Sequence, residues 1–429
     1  MQTLTYRQIV QKIEALGVMP DRLPSLEPMT RALQRLLEPH DFKPEKTVVI
    51  AGTNGKGSVC ATLQTLLQAT GETVGLYTSP HLEETTERIQ INGAPISEDL
   101  FCKAYSDVSS RLEGFTLTHF EVLTLMAAWI FFSKTGHFKK IDRAIFEVGL
   151  GGKWDATNAI PHHHCVITQL GYDHQNLLGN SLSEIAKNKF GIIHPESSVV
   201  YSPLPEEARS LLEDYKKIPH TRWHESAPFS YRVEQNETGR EPQFFISTPW
   251  GETQIALAGR RGAENTMTAL TCFRQLGFDP SPYLSTLAHV KWSGRMEKWT
   301  HPQARCPIYL SGDHNPQGVE SLLELLPHYK YKQLYTLVGI GKDKDRDSIL
   351  GPLFQVANQS VVLTQTPFRG IPIEGYGPWA QKAHDQVADP IEAIKTLFQQ
   401  ATEEDLILVT GSLYLVGEIK GFLRARTQQ

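Results

Sequence analysis

Cysteine is scarce in this chain. The five present, Cys60, Cys102, Cys165, Cys272 and Cys306, are scattered, odd in number and form no C-x-x-C pair. That pattern argues against a disulfide framework or a cysteine-built zinc site, and for a reducing compartment. Long apolar runs are missing too. The longest, Leu125 to Phe132, is far short of the roughly 20 residues that span a bilayer. The opening MQTLTYRQIVQKIEALG carries Arg7, Lys12 and Glu14. It reads as a short amphipathic helix and lacks the apolar core of a signal peptide. A cytoplasmic protein without membrane contact is expected. Basic excess is also absent: 42 Lys and Arg against 47 Asp and Glu leave a net charge of −5, without the footprint of a nucleic-acid binder. No internal repeat or low-complexity segment occurs.

What is present is an ordinary globular composition, 40% hydrophobic and 21% charged over 429 residues. That length allows two or three domains and a core that needs no covalent staple. Several stretches share one grammar, a short apolar strand, a turn rich in Gly, Ser or Asp, then a helical pattern. Thr47 to Ala51 runs into GTNGKGS, Thr73 to Thr78 into Ser79-Pro80-His81, Ile141 to Val148 into the glycines at 149, 151 and 152, and His164 to Leu170 into Gly171-Tyr172-Asp173-His174. Thr118 to Phe132 reads as one buried helix. This alternation predicts an α/β fold with a mainly parallel sheet flanked by helices. Residues 228–257 alternate and predict antiparallel strands, and Glu264 to Leu276 predicts a helix. Trp292 to Pro307 has no clear period and reads as a loop and hinge. Strand–helix alternation resumes in CPIYLSG, LYTLVGIG, SVVLTQTP and LILVTGS. The expected organisation is a large P-loop-type ATPase domain, 1–296, and a smaller Rossmann-like α/β domain, 297–429.

The strongest motif is Gly52-Thr53-Asn54-Gly55-Lys56-Gly57-Ser58, between a strand and a helix. Glycines let the backbone close around phosphate, with N–H groups and the helix N-terminus aimed at the anion, and Lys56 adds a point charge. The spacing is not the standard G-x-x-x-x-G-K-[ST]. Ser79, Glu147 and His174 also fall at or just past predicted strand ends, where open α/β sheets bind ligands. A hydroxyl, a carboxylate and an imidazole there suit a Mg²⁺ and nucleotide site, although Mg²⁺ prefers oxygen donors. Ser79 before Pro80, and Glu147, serve equally well as turn residues. The run His162-His163-His164 reads as a polar loop entering a strand, because consecutive residues do not share a face. His119 and Phe120 read as packing groups.

GTNGKGS, TSPHL-x₄-ERI, EVGLGG-K-x-DATN and YDH-x₃-LG, followed by HNPQG, G-x-G-K-D-K-D and VTGSLYLVGE, resemble in content and order the folylpolyglutamate synthase and dihydrofolate synthase family of the Mur ligase superfamily. The resemblance spans roughly residues 45 to 420. It implies a ligase that splits ATP to ADP and phosphate and joins a pteroate or folate carboxylate to the amine of L-glutamate through an acyl phosphate. Its partners would be small molecules only, namely ATP, L-glutamate and the pteroate or folate acceptor, and the chain would act as a monomer. By resemblance Lys56 contacts the ATP phosphates, and Ser79, Glu147 and His174 hold magnesium. Lys189 matches a lysine that is carbamylated in the family. Asn265 and Arg295 lie near the nucleotide, His314 reaches it from the C-terminal domain, and Asp155 supports its loop.

The family pattern breaks in three places. G-x-H-Q-x-x-N reads Gly259-Arg260-Arg261-Gly262-Ala263-Glu264-Asn265. D-G-A-H-N-P reads Ser311-Gly312-Asp313-His314-Asn315-Pro316, with Asp313 either replacing the lost carboxylate contact or serving the turn. E-K-A-G reads Asn188-Lys189-Phe190-Gly191, where the bulk of Phe190 is expected to reshape the metal-side pocket. Two other readings stand beside the leading one. One is a Mur-type ligase acting on a different carboxylate, disfavoured by the short stretch before Gly52. The other is a nucleotide-binding regulatory protein without turnover.

Overall fold

The computed structural model describes residues 4–17, 24–134, 139–235, 239 and 241–427. Its largest sheet contains β1 (Thr47–Ala51), β2 (Val74–Tyr77), β3 (Ile89–Ile91), β4 (Ala94–Pro95), β5 (Arg143–Glu147), β6 (His164–Ile167), β7 (Ser198–Tyr201) and β8 (Arg222–Glu225). Their order is β4-β3-β2-β5-β1-β6-β7-β8. From β2 to β8 every neighbouring pair is parallel, and only the β3 and β4 edge is antiparallel. The central strands β1, β2 and β5 are apolar and almost wholly buried because helices cover both faces.

One cover is the helix His119–Phe132, the buried helix expected from the sequence. Thr118 caps it and Glu121 reaches back to the Thr118 backbone, a reciprocal capping box that sets its start. Phe131 and Phe132 pack on Phe146 with ring centroids 5.6 and 6.1 Å apart. Each buried phenylalanine contributes about 1.5–3 kcal/mol. The N-terminal amphipathic helix spans Tyr6–Glu14 and buries Tyr6, Ile9 and Ile13.

A three-stranded antiparallel sheet follows, β9 (Ser230–Gln235), β10 (Pro242–Thr248) and β11 (Gly251–Ile255), in the segment whose alternation predicts it. The next helix runs Gly259–Gln275 and so starts five residues before the expected Glu264. The two arginines and the glycines at 259 and 262 hide that first turn from a pattern reading.

The third sheet contains β12 (Glu297–Trp299), β13 (Ile308–Leu310), β14 (Leu334–Val338), β15 (Gln359–Leu363), β16 (Asp385–Gln386) and β17 (Leu406–Thr410), in the order β12-β13-β17-β14-β15-β16. All pairs are parallel except β12 with β13. β12 corrects the expectation of loop throughout 292–307, since three residues are too few to display a period. The helix Leu413–Thr427 lies against the segment after β2. A β-carbon at Gly417 would fall 2.0 Å from the Leu82 carbonyl oxygen, and Glu83 pairs with Arg424 at 2.9 Å. No helix among the described residues is long and apolar enough to cross a membrane.

Candidate active site

The phosphate loop leaves β1 and enters the helix Lys56–Ala69. The Thr53 and Asn54 amides both turn to the Gln169 carbonyl, at 2.8 and 3.3 Å. Thr53 Oγ1 donates to the Gly171 carbonyl at 3.0 Å, and the Gly171 amide approaches the same hydroxyl at 3.0 Å. The loop is therefore clamped to the segment after β6 rather than left loose. Gly55 is the helix N-cap at φ +85°, with no side-chain cap, and a β-carbon there would meet Asn265 Oδ1 at 2.2 Å. Only glycine fits both the left-handed backbone and the contact. The first-turn N–H groups lack a side-chain cap and face outward at the positive end of the helix dipole, an anion site.

Lys56 folds back over its own loop, with Nζ donating to the Gly52 and Thr53 carbonyls at 3.2 and 3.3 Å. Lys189, buried on the helix Leu182–Phe190, donates to the same Gly52 carbonyl at 2.9 Å. Burial and the nearby charge of Lys56 lower the Lys189 pKa to about 7.

Glu147 is the last residue of β5 and is buried. Its Oε2 accepts the Ser79 backbone N–H at 3.1 Å. Burial raises its pKa to about 6, against the opposing charge of Lys56, the Ser79 N–H and the charges of Arg295 and Arg88. Ser79, Glu147 and Lys56 thus share one corner. His174 stands elsewhere. It has φ +50°, and its ring faces Asp173 at 3.8 Å and Asp343 at 4.0 Å. No contact among the described residues joins it to Glu147 or Ser79, and no group of three or more His, Cys, Asp or Glu side chains gathers as a metal cage.

Beside the loop lies a narrow cleft of about 100 Å³, open to solvent, whose lining includes Gly55, Ser58, Asn265, Arg295, Asp313 and His314. Asn265 is buried, and its Oδ1 has no hydrogen-bond partner among the described residues. The opposite wall follows β13. There Ser311 donates to Asp313 Oδ2 at 2.6 Å, and His314 Nδ1 lies 2.9 Å from the Gly312 carbonyl. Arg261 also lines the cleft and is tied to Ser321 at 2.8 Å.

Phe190, expected to reshape the metal-side pocket, is not in the lining of this cleft. It is fully buried and packs edge-on against Tyr215, 5.2 Å between ring centroids, because its neighbours there are core residues. Asp155 accepts the amides of Gly149 and Leu150 at 3.1 and 3.0 Å and so supports its loop. His162 departs from the polar-loop reading. It is buried, with its ring nitrogens 2.6 and 2.9 Å from the Ile160 and Ile192 carbonyls.

Sequence reading missed the residues that join the two walls. Asp173 Oδ1 meets Lys344 Nζ at 2.7 Å, and its Oδ2 meets Asn315 Nδ2 at 3.3 Å and His314 Nε2 at 3.6 Å. Burial pushes the Asp173 carboxyl up, but His314, Lys344 and His174 outweigh burial and hold it well below the usual range. Asn315 also exchanges hydrogen bonds with Asn54, at 2.9 and 3.4 Å. The only signal for these residues was their place inside the YDH, G-x-G-K-D-K-D and HNPQG motifs.

Residues 294–413 match the family model described as Mur ligase, glutamate ligase domain. Over 425 residues the chain is 29% identical to the dihydrofolate synthase/folylpolyglutamate synthase of Bacillus subtilis, covering 94% of this chain and 95% of that protein. Over nearly its whole length the chain is similar to members of the folylpolyglutamate synthase and dihydrofolate synthase family. Members of known structure share its architecture. E. coli FolC in complex with DHPP and ADP superposes with a TM-score of 0.84 at 25% identity, over 99% of this chain and 100% of that one. A bifunctional folylpolyglutamate synthase/dihydrofolate synthase with Mn, AMPPNP and L-glutamate bound gives 0.81 at 25% identity, over 99% and 100%. The mixed α/β fold with parallel sheets and a C-terminal Mur-type domain is that of this family.

Proposed function

We propose that this chain is an ATP-dependent ligase that joins L-glutamate to dihydropteroate, to folates or to both, with residues 1–296 binding the nucleotide and residues 297–429 closing over it. The observation that carries this reading is the clamped, uncapped phosphate loop beside a buried Glu147, at the edge of a cleft shared by Asn265, Arg295 and His314.

In the first step an acceptor carboxylate oxygen attacks the γ-phosphorus of ATP, the bond to the ADP oxygen breaks, and an acyl phosphate forms. In the second the glutamate amine attacks the acyl carbon, phosphate leaves with the bonding pair, and the nitrogen gives up a proton. Two anions meet in the first step, so charge neutralisation dominates. Lys56 releases its loop carbonyls and turns to the incoming phosphates, while the first-turn amides of the helix Lys56–Ala69 cradle them. Arg295 lies at the cleft edge, His314 approaches from the other wall, and the Asn265 oxygen accepts a donor from the nucleotide.

Glu147 and Ser79 offer hard oxygen donors in a corner where a buried carboxylate is stabilised by a cation, which fits a divalent ion such as Mg²⁺ that keeps water and phosphate oxygens as its remaining ligands. His174 joins them only if it leaves the Asp343 side. When bound, such an ion supplies Lewis-acid neutralisation of the transferring phosphoryl group. Lys189 supports a further step. An amine with a pKa near 7 is substantially neutral and nucleophilic at physiological pH, so it can add to carbon dioxide, lose a proton and become a carbamate anion. Labelled bicarbonate followed by NMR detects that adduct.

The test of the whole reading is phosphate release that requires both glutamate and a pteroate-type acceptor, with the amide product identified by mass. Release indifferent to every acceptor of that class sinks it.

A further inference from the structure

We propose that Asp173 is a positioning residue for the ligation, docking Lys344, His314 and Asn315 onto the phosphate rim so that the working cleft is assembled around its carboxylate. This rests on the ligase reading above and adds to it a specific device for closure.

Four observations carry it. Asp173 and Lys344 are 171 residues apart, yet their side chains are only 11% and 12% exposed. A carboxylate and an ammonium so withdrawn from water are costly alone and stable only together. Both carboxylate oxygens are engaged by the C-terminal part of the chain, Oδ1 by Lys344 and Oδ2 by Asn315 and His314. These partners follow two different strands, β13 and β14, so one carboxylate ties two strand ends of the third sheet at once. Finally, the network continues into the phosphate loop. Asn315 bonds Asn54, and Gln317 bonds Asn54 at 3.2 Å and the Leu170 carbonyl at 3.4 Å. The other charged or titratable neighbours are His174, which faces Asp173 at 3.8 Å, Asp343, 3.8 Å from Lys344, and the buried Lys189, which feels the Asp173 charge. Lys344 is the one lysine or arginine paired with Asp173 among the described residues.

The geometry also says why closure matters. An acyl phosphate exposed to water hydrolyses instead of meeting an amine, so product depends on the second wall being in place when it forms. Opening the wall lets water rehydrate Asp173 and Lys344, which keeps the docking reversible.

The experiment compares wild type with Asp173→Asn and Lys344→Ala, measuring ADP binding, turnover, and the ratio of phosphate released to amide formed. Asp173→Asn keeps the shape and removes the charge. Lys344→Ala removes the partner from the other wall and reports independently should the first variant not fold. The expected result is nucleotide affinity within about 3-fold of wild type, kcat lower by roughly 10–100-fold, and a phosphate-to-amide ratio above one. The double variant should be no worse than either single one, because the two residues act through one contact. Lys344→Arg should recover much of the coupling. A ratio of one with near-normal kcat in both single variants overturns the proposal. So does loss of ADP binding in a folded Asp173→Asn protein, which makes Asp173 part of the nucleotide pocket. A wild type that shows no acceptor-dependent release fails the ligase reading itself, whereas a ligating wild type with unaffected variants fails only this one.

Discussion

The two walls of the cleft are held by different physics. On one side the phosphate loop is positioned locally, by a buried parallel strand before it, a helix after it and a clamp from the neighbouring strand end at Gln169 and Gly171. On the other side Ser311, Asp313 and His314 depend on a second sheet and on cross-chain contacts such as Asp173 with Lys344. The backbone of the loop wall is preorganised, so its amides are in place before substrate arrives, and only the Lys56 side chain has to turn. In the proposed mechanism the other wall is brought up, and its residues act in the docked state.

That contrast can be broken in order of expected effect. Lys56→Ala removes the mobile cation of the loop wall and should lower kcat by roughly 100–1,000-fold in a steady-state assay. Near-normal turnover would remove the phosphate-loop assignment. Chelating divalent ions should abolish turnover, and added Mg²⁺ should restore it. Gly55→Ala forces a side chain into a left-handed backbone and against Asn265, and should weaken ADP binding in a calorimetric titration by roughly 1–3 kcal/mol. For Ser311 on the far wall, and for Arg261 on the helix Gly259–Gln275, the effects should be smaller. Ser311→Ala deprives Asp313 Oδ2 of its 2.6 Å donor and should cost about 1–1.5 kcal/mol, read in the KM for ATP. Arg261→Ala loses the Ser321 contact at a position about a third exposed, and should change stability by under about 1 kcal/mol in thermal unfolding. If Ser311→Ala outweighs Gly55→Ala, the preorganised and recruited walls have been assigned the wrong way round.

The sequence made the loop wall legible and the other wall much less so. β1, β2, β5 and β6 are runs of apolar residues ending in turn chemistry, and that local grammar identifies both the strands and the rim they share. β8 reads Arg222-Trp223-His224-Glu225, a polar edge strand with no apolar run to reveal it. β12 is too short to show a period. Asp173 was visible only as the neighbour of His174, because its partners lie more than 140 residues away and no spacing rule reaches that far. Phe190 shows the opposite error. A bulky residue beside a functional lysine suggested a changed pocket, but successive helical residues point in different directions, and its ring went into the core.

Gly417 gives the C-terminal helix a role in the geometry of the corner where Ser79 meets Glu147. With the Leu82 carbonyl 2.0 Å from where a β-carbon would stand, the helix backbone is the floor on which the segment carrying Ser79 rests. Any larger residue at 417 lifts that floor, and the displacement travels three positions back along the chain to a donor that sits on Glu147. A substitution remote from every substrate is therefore expected to lower stability and to displace the Ser79–Glu147 contact together. The last helix thereby acts as a set-screw for the Ser79–Glu147 corner.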